Sequence, residues 1–218
     1  MPIQKVINDK IEQEQIDRAG RVRSGLISPS SFGRCFRYQI WNRKNEPPTN
    51  PPDLRTLRVF KCGHLFHDFV ESHLPPHQRE VEIRVDDIYG FADIVLPDEV
   101  VDVKSQHSKS FWYMEKSDYN IEKEKISNIL QVCCYAHLLK KPKFTLMFVS
   151  KDDLCIAEYS FFTDKYVHLV NEELKALRGW WIAENLPPKQ PRAYGFDKKT
   201  GISNECGKYC SFRDKCKT

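Results

Sequence analysis

The sequence predicts a mixed α/β fold in which a small central sheet is flanked by helices. Three observations predict it. Apolar residues recur at helical spacing through the first 74 residues, they alternate with polar residues over about 81–104, and helical and strand-like runs then follow up to residue 185. The 218 residues suit one domain of ordinary size, and a content of 40% hydrophobic and 12% aromatic residues excludes disordered and collagen-like chains.

The first part of the chain is predicted to be helical. Residues 3–19 form an amphipathic pattern. Ser28 and Pro29 are an N-cap and first-turn pair that predicts a second helix, which ends at the proline-rich stretch 47–52. A third helix is expected from about Asp53 to Leu74, because a proline pair follows.

The periodicity changes to two after residue 80, which predicts strands. Val81, Ile83 and Val85 alternate with charged residues, and a turn leads into a returning strand at 90–96. The rest of the predicted core follows in order: a strand at 99–104, a long helix from about 117 to 139, strands at 144–149 and 155–162, and a helix from 164 to about 185.

The chain divides by composition into three segments: a helical segment at 1–52, a core at 53–185 and a tail at 186–218. The tail is rich in Pro, Gly, Lys and Cys and has no periodicity. Because it has too few apolar residues to offset its conformational entropy, we expect a cross-link to order it.

The charge is uneven along the chain. The net charge of +4 is the sum of +4 over residues 1–46, −5 over 47–186 and +5 over 187–218. Basic ends around an acidic middle suit a protein that binds phosphates at its periphery and metal ions at its centre. The alternative is that these charges only keep the surface solvated and are unevenly distributed without a function. The sequence has no membrane helix and no signal peptide, so we expect a cytoplasmic protein with no membrane partner.

Carboxylates on neighbouring strands are the first candidates for chemistry. Asp102 and Lys104 are two residues apart on a predicted strand and therefore point to one face. Asp93 lies on the strand before it, and two such carboxylates can bind Mg²⁺ or Mn²⁺. A salt bridge on a strand face is the alternative that these residues leave open.

Further candidates precede and follow this pair in a fixed order. His67 lies on the third helix, Glu82 on the first strand, and Gln131 and Tyr135 share a face of the long helix. The full set is Gly63-x-x-x-His67, Glu82, Gly90-x-x-Asp93, Asp102-x-Lys104 and Gln131-x-x-x-Tyr135. In order and spacing it resembles the motifs of the RecB-like branch of the PD-(D/E)xK nucleases. Ala92 stands where the family name has proline, but Gly-x-x-Asp is common in this branch.

The resemblance implies a restriction-endonuclease-like core and a metal-dependent nuclease. Asp93, Asp102, the Val103 carbonyl and His67 are then expected to hold one or two Mg²⁺ or Mn²⁺ ions. These residues combine oxygen ligands with one imidazole.

The same resemblance gives roles to the remaining motif residues. Lys104 is expected to activate the attacking water and to stabilise developing negative charge. Gln131 and Tyr135 are expected to position the lysine or the DNA backbone, and Glu82 to have a supporting role.

Four of the eight cysteines are candidates for a second metal group. Cys206, Cys210 and Cys216 lie in the tail, and Cys35 lies at the start of the second helix. One cysteine before the core and three after it is similar to the iron–sulfur nucleases of this branch, which include CRISPR-associated exonucleases and phage relatives. The resemblance implies a 4Fe–4S cluster, and zinc on the same thiolates is the alternative. The usual spacing of the first tail pair in that group is two residues, not three. The cysteines expected to be small buried hydrophobic residues are Cys133, Cys134 and Cys155.

The expected function is that of an Mg²⁺- or Mn²⁺-dependent exodeoxyribonuclease acting on single-stranded DNA ends. Arg34 and Arg37, with Tyr135, are expected to contact the DNA. The alternative is a non-catalytic factor that binds DNA ends and delivers them to a partner, such as a CRISPR integrase. CRISPR adaptation and recombination proteins are the partners that the resemblance suggests. Several family members form rings, so a homo-oligomer is also open.

Overall fold

The computed structural model describes residues 2–19, 25–116 and 118–217. Within these ranges the helices are α1 (Ile3–Ala19), α2 (Phe36–Arg43), α3 (Leu54–Glu71), α4 (Ser108–Met114), α5 (Ile121–Glu124), α6 (Ile126–Leu138), α7 (Thr163–Ala183) and α8 (Arg213–Lys217). The strands are β1 (Arg79–Val85), β2 (Ile88–Val95), β3 (Glu99–Gln106), β4 (Lys143–Ser150) and β5 (Ile156–Phe162).

The strands form one sheet in the order β1-β2-β3-β4-β5. Neighbouring strands are antiparallel except β3 and β4, which are parallel and are joined by the crossover through α4, α5 and α6. The predicted mixed α/β fold with a small sheet flanked by helices is confirmed.

Helices cover both faces of the sheet. On β3, Val100 belongs to the main core, with residues of α6 and α7, whereas Val101 and Val103 belong to a smaller core. Phe66 and Val70 of α3 pack against that smaller core. Because successive strand residues point to opposite faces, α3 lies on one side of β3 and α6 on the other.

The second helix begins later than the sequence predicts. Residues Pro29–Ser31 form a single 3-10 turn, and α2 starts only at Phe36. Between them, Gly33 has a φ of 72°, and a Cβ there would lie 3.1 Å from Ser127 of α6. The chain therefore turns at Gly33 to pass close to α6, which interrupts the predicted helix.

The long helix predicted at 117–139 is shorter than expected and is divided. Lys125 has φ −124° and ψ 24°, outside the helical region, and separates α5 from α6. The Asn120 side chain caps α5 by accepting from the Lys123 N–H at 3.0 Å. An additional helix, α4, occupies a stretch that the sequence left unassigned, and residue 117 lies outside the described residues.

The first helix is present as predicted, but its apolar residues are not buried. It lies beside α3, where Lys61 Nζ donates to Glu14 Oε2 at 2.9 Å. The large apolar residues that α1 leaves exposed are Ile3, Val6, Ile7 and Ile16. No helix within the described ranges is both long enough and apolar enough to cross a membrane.

The tail packs against the beginning of the chain. Phe212 is 1% exposed, and its ring centroid lies 5.8 Å from that of Tyr38 and 5.4 Å from that of Trp41. The Asn50 N–H donates to the Ser211 carbonyl at 2.9 Å. Apolar packing and hydrogen bonds thus contribute to the order of a segment that the sequence expected to depend on a cross-link.

Candidate active site

A cleft of about 530 Å³ opens where α3, α6 and the strands β1–β3 meet. Residues that line it come from each of these elements: His67, Glu80, Asp93, Lys104, Gln131 and Tyr135. The fold therefore brings together groups that are separated by up to 68 positions in the sequence.

Asp102 and Lys104 form the innermost pair. Asp102 is 2% exposed, and its Oδ1 accepts from Lys104 Nζ at 2.8 Å and from Gln131 Nε2 at 3.2 Å. Its Oδ2 also lies 2.8 Å from Lys104 Nζ, but not in hydrogen-bonding geometry, and has no other partner in the described structure. One buried carboxylate oxygen is thus available to a further ligand.

Asp93 joins β2 to β3 and to α3. Its Oδ2 accepts from the Val103 N–H at 2.8 Å and lies 3.5 Å from His67 Nδ1. The sequence-predicted residues Asp93, Asp102, His67 and Val103 are therefore neighbours in the fold.

Burial controls the protonation of these groups. It raises the pKa of Asp102 to about 6 and that of Glu71 to about 7, and it also raises the pKa of Asp93. Burial, together with the Lys104 charge, lowers the pKa of His67, which favours the neutral imidazole that binds metals. Although burial disfavours the Lys104 ammonium, the Asp102 and Asp93 carboxylates outweigh it and raise its pKa.

The structure adds two carboxylates that the sequence analysis did not select. Glu71 Oε1 lies 4.0 Å from His67 Nδ1, and ligand atoms of His67, Glu71 and Glu80 all lie within 4.8 Å of one another. Glu71 follows His67 by four positions on one helix, a spacing that places both side chains on one face. Glu82, expected to have a supporting role, is exposed and does not line the cleft, whereas Glu80 does.

Gly90 explains the spacing between β2 and α6. A Cβ at this position would overlap the Tyr135 hydroxyl, so only glycine lets the tyrosine approach the strand. Tyr135 is 2% exposed and lines the cleft beside Gln131. The glycine of the Gly-x-x-Asp motif therefore serves the packing of the helix that carries these two side chains.

The four cysteines selected from the sequence also interact with one another. Burial raises the pKa of Cys206, and the charges of Cys35, Glu205, Cys210 and Cys216 raise it further. These charge effects place Cys35, Cys210 and Cys216 in the surroundings of Cys206, but among the described residues these sulfurs do not form a group within 4.8 Å of one another. By donor chemistry alone, four thiolates fit either zinc or an iron–sulfur cluster.

Arg34 and Arg37, predicted to contact DNA, bind the tail. Arg34 Nη2 donates to the Tyr209 carbonyl at 2.9 Å, and its guanidinium carbon lies 3.4 Å from the centre of the Tyr38 ring. Arg37 Nε donates to the Pro187 carbonyl at 2.5 Å. Neither arginine lines the cleft that holds Lys104.

No family model matches the chain, and no curated protein matches its sequence. Among solved structures, the crystal structure of SSO0001 aligns with a TM-score of 0.56 and 20% identity, covering 97% of this chain and 94% of that chain. An alkaline exonuclease from Laribacter hongkongensis, LHK-Exo, aligns with a TM-score of 0.49 and 10% identity over 77% of this chain and 93% of that chain. The first alignment shows that this chain shares the fold of SSO0001 over almost its whole length.

Proposed function

We propose that this protein is a divalent-metal-dependent nuclease that hydrolyses phosphodiester bonds at single-stranded DNA ends. The observation that carries the proposal is the Asp102–Lys104 pair beside Asp93 and His67, in which the buried Asp102 Oδ2 forms an ion pair with Lys104 but accepts no hydrogen bond. Because Oδ2 accepts no hydrogen bond, a divalent cation can bind it without displacing a donor.

The residues divide into metal ligands and groups that act on the phosphate. Asp93, Asp102, the Val103 carbonyl and the neutral imidazole of His67 would hold Mg²⁺ or Mn²⁺, because oxygen donors with one nitrogen suit these ions. A divalent ion in such a site lowers the pKa of a bound water and neutralises phosphate charge.

Lys104 then acts as a cation and not as a base. Since neighbouring carboxylates raise its pKa, the ammonium is charged at neutral pH and can orient the attacking water and stabilise the negative charge that develops on the phosphate. Gln131 fixes the Asp102 carboxylate through its hydrogen bond, and Tyr135 forms the cleft wall above Gly90. Both are positioning residues in this proposal.

The cleft also supports a single-stranded substrate. Its volume of about 530 Å³ lies within the range of about 300–1,000 Å³ that is typical of small-molecule sites. Phe60 and Phe91 line it together with Lys151, and Phe60 is half exposed. Aromatic rings beside a lysine favour an unpaired base and its phosphate, because stacking requires a base face that pairing and stacking in a duplex would hide.

The proposal includes an iron–sulfur cluster on Cys35, Cys206, Cys210 and Cys216. Its role is structural, because it joins the segment before the core to the tail after it. Anaerobically purified protein should be brown and contain iron. If the protein is colourless and contains one zinc per chain, the metal on the four cysteines is zinc and the nuclease proposal is unaffected.

The test is digestion of end-labelled single-stranded DNA with Mn²⁺ by the parent protein, Lys104→Ala and Lys175→Ala. Lys175 is exposed on α7 and is a matched control outside the cleft. We expect a product ladder from the parent and the control, and none from Lys104→Ala. Full activity of Lys104→Ala would contradict the site, and an inactive parent that still binds DNA ends would favour the non-catalytic delivery factor.

A further inference from the structure

The short helix α4 presents two large aromatic side chains to solvent. Trp112 and Tyr113 are 59% and 55% exposed, whereas Phe111 and Met114 of the same helix are buried in the main core. The buried pair anchors α4, so the two exposed rings are held in place without packing in the core. Neighbouring aromatic side chains that are left in water mark a surface that binds a ligand.

Lysines border the two exposed rings. Lys109 is exposed and precedes Trp112 and Tyr113 by three and four positions, a spacing that places these side chains on one face of α4. Lys116 follows the helix, and its Nζ lies 4.4 Å from the centre of the Trp112 ring and 4.8 Å from that of Tyr113. Within the described residues, no carboxylate forms an ion pair with Lys116. The face therefore combines two ring surfaces with positive charge.

This face of α4 begins at the rim of the cleft. The end of β3 contributes Ser105 to the cleft lining, and α4 starts three residues later at Ser108. Lys151, which follows β4 and also lines the cleft, donates its main-chain N–H to the Gln106 carbonyl at 2.8 Å. From Ser108 the helix rises by about 6 Å to Trp112, at 1.5 Å per residue. A chain that leaves the cleft past Ser105 and Lys151 can therefore reach the exposed rings.

We propose that Trp112, Tyr113 and Lys116 form a binding site for single-stranded DNA, here called the α4 platform. Unpaired bases stack on the two rings, and the lysine binds a backbone phosphate. The proposal rests on the proposed function for the identity of the ligand as DNA. It extends the path of the substrate from the cleft to the neighbouring surface, where the platform holds the strand without taking part in hydrolysis.

The residue types of the α4 platform favour a nucleic acid over a protein partner. Lysine is depleted in protein–protein interfaces, whereas aromatic rings beside cationic side chains are typical of sites for single strands. A single strand offers both a free base face for each ring and a phosphate for Lys116. A duplex offers only phosphates, because its base faces are stacked on one another.

The test is equilibrium binding of a fluorescein-labelled single strand of about 12 nucleotides, followed by anisotropy. The protein retains its cysteine-bound metal, and no Mn²⁺ or Mg²⁺ is added, so the measurement does not depend on cleavage. The variants are Trp112→Ala, Trp112→Phe and Lys116→Ala. The controls are Phe162→Ala, which removes an aromatic ring that is 64% exposed at the end of β5, and Lys175→Ala, which removes an exposed lysine of α7.

We expect Trp112→Ala to raise the Kd about fivefold or more, the effect of losing one stacked base. Trp112→Phe should bind nearly as tightly as the parent, because it keeps a ring. Lys116→Ala should lower the slope of log Kd against log salt concentration by about 0.7, the contribution of one phosphate contact. Both controls should keep the Kd and the salt slope of the parent.

Tryptophan fluorescence gives a second readout. The single strand should quench the parent and should quench Trp112→Phe much less, because the other three tryptophans are buried or packed against the core. A Trp112→Ala protein that binds with the Kd of the parent overturns the proposal. A duplex of the same length that quenches the parent as strongly as the single strand also overturns it. If Trp112→Ala does not fold, the salt slope of Lys116→Ala decides the question.

The nuclease assay separates failure of the α4 platform from failure of the proposed function. A parent that digests single strands, while Trp112→Ala binds them as tightly as the parent does, contradicts only the platform. A parent that shows the expected losses of binding but digests no DNA with Mn²⁺ contradicts only the nuclease.

Discussion

Glu205 is the side chain through which the tail is tied to the start of the chain. It is 1% exposed, and its Oε1 accepts from the Cys35 N–H at 2.6 Å. Its Oε2 accepts from the N–H groups of Arg192 and Ala193 at 2.7 and 3.0 Å, and Arg34 Nε lies 3.7 Å from Oε1. We predict that Glu205→Gln strongly destabilises the protein, although the two side chains have the same size.

The magnitude follows from the acceptors that the amide loses. Glutamine keeps one oxygen, which can accept from the N–H groups of Arg192 and Ala193. Its NH₂ group then faces the Cys35 N–H, and because both groups are donors, the Cys35 N–H is left unpaired. Losing a charge-assisted hydrogen bond costs about 1.5–3 kcal/mol, and an unpaired buried donor costs about 1–3 kcal/mol. Allowing for overlap between these losses, we expect about 3 kcal/mol, which corresponds to a fall in Tm of about 6–12 °C for a chain of this size.

The assay is thermal and urea unfolding followed by circular dichroism, with Glu172→Gln as the control. Glu172 is exposed on α7, next to the buried Glu173. Trypsin should release the tail of Glu205→Gln at native temperature. Residues 198, 199 and 208 are exposed lysines, and detachment of the tail lets the backbone beside them unfold locally into the protease active site. A Tm within about 1 °C of the parent, with an equally resistant tail, would refute the reasoning.

The remaining predictions concern the cleft and the cysteines. Gly90→Ala should lower kcat and reduce stability by about 1–3 kcal/mol, because the new methyl group displaces Tyr135. Measurements of DNA turnover and of urea unfolding on the same variant check both effects. Cys133→Ala should leave iron and zinc content unchanged in elemental analysis, because Cys133 is buried in the apolar core, and a loss of metal would contradict the four-cysteine assignment. Mn²⁺ should raise Tm more at pH 8 than at pH 5.5. The pKa values of Asp102 and Glu71, about 6 and about 7, lie above their ordinary values, so raising the pH ionises these buried carboxyls and destabilises the ion-free fold. A bound cation offsets this destabilisation at pH 8. Equal increases in Tm at both pH values would contradict the prediction.

The sequence predicted the sheet well because its strands carry a strong local signal. Alternation at Val81, Ile83 and Val85 reflects a strand with one face toward the protein and the other toward solvent. The valines at 100, 101 and 103 reflect a strand that is buried on both faces. The interruption at Gly33 was not predictable in this way, because it depends on the approach of Ser127 from a helix 94 positions away. Cys155 was expected to be buried but is exposed, since it follows a turn and precedes the edge strand β5.

The same distinction applies to the site. Asp93, Asp102 and Lys104 could be selected because neighbouring strands and period two fix which side chains share a face. Glu80 could not be separated from Glu82 on this basis, because alternation places both on one face of β1. Glu80 has a φ of 48°, in the left-handed region that side chains rarely adopt, and a departure of this kind from regular strand geometry has no signal in a single sequence.

One buried carboxylate, Glu173, connects the tail to the segment before the core. Glu173 of α7 accepts from the Gly33 N–H at 3.1 Å and from Gln39 Nε2 at 2.7 Å, and it pairs with Arg192 of the tail at 2.6 Å. Gly33 in turn packs on Ser127 at the beginning of α6, the helix that carries the cleft residues Gln131 and Tyr135. The tail, the segment before the core and α6 therefore share one set of contacts. A metal on the four cysteines would stabilise these contacts from outside the cleft, so its contribution to activity would come through the position of α6 and not through the phosphate.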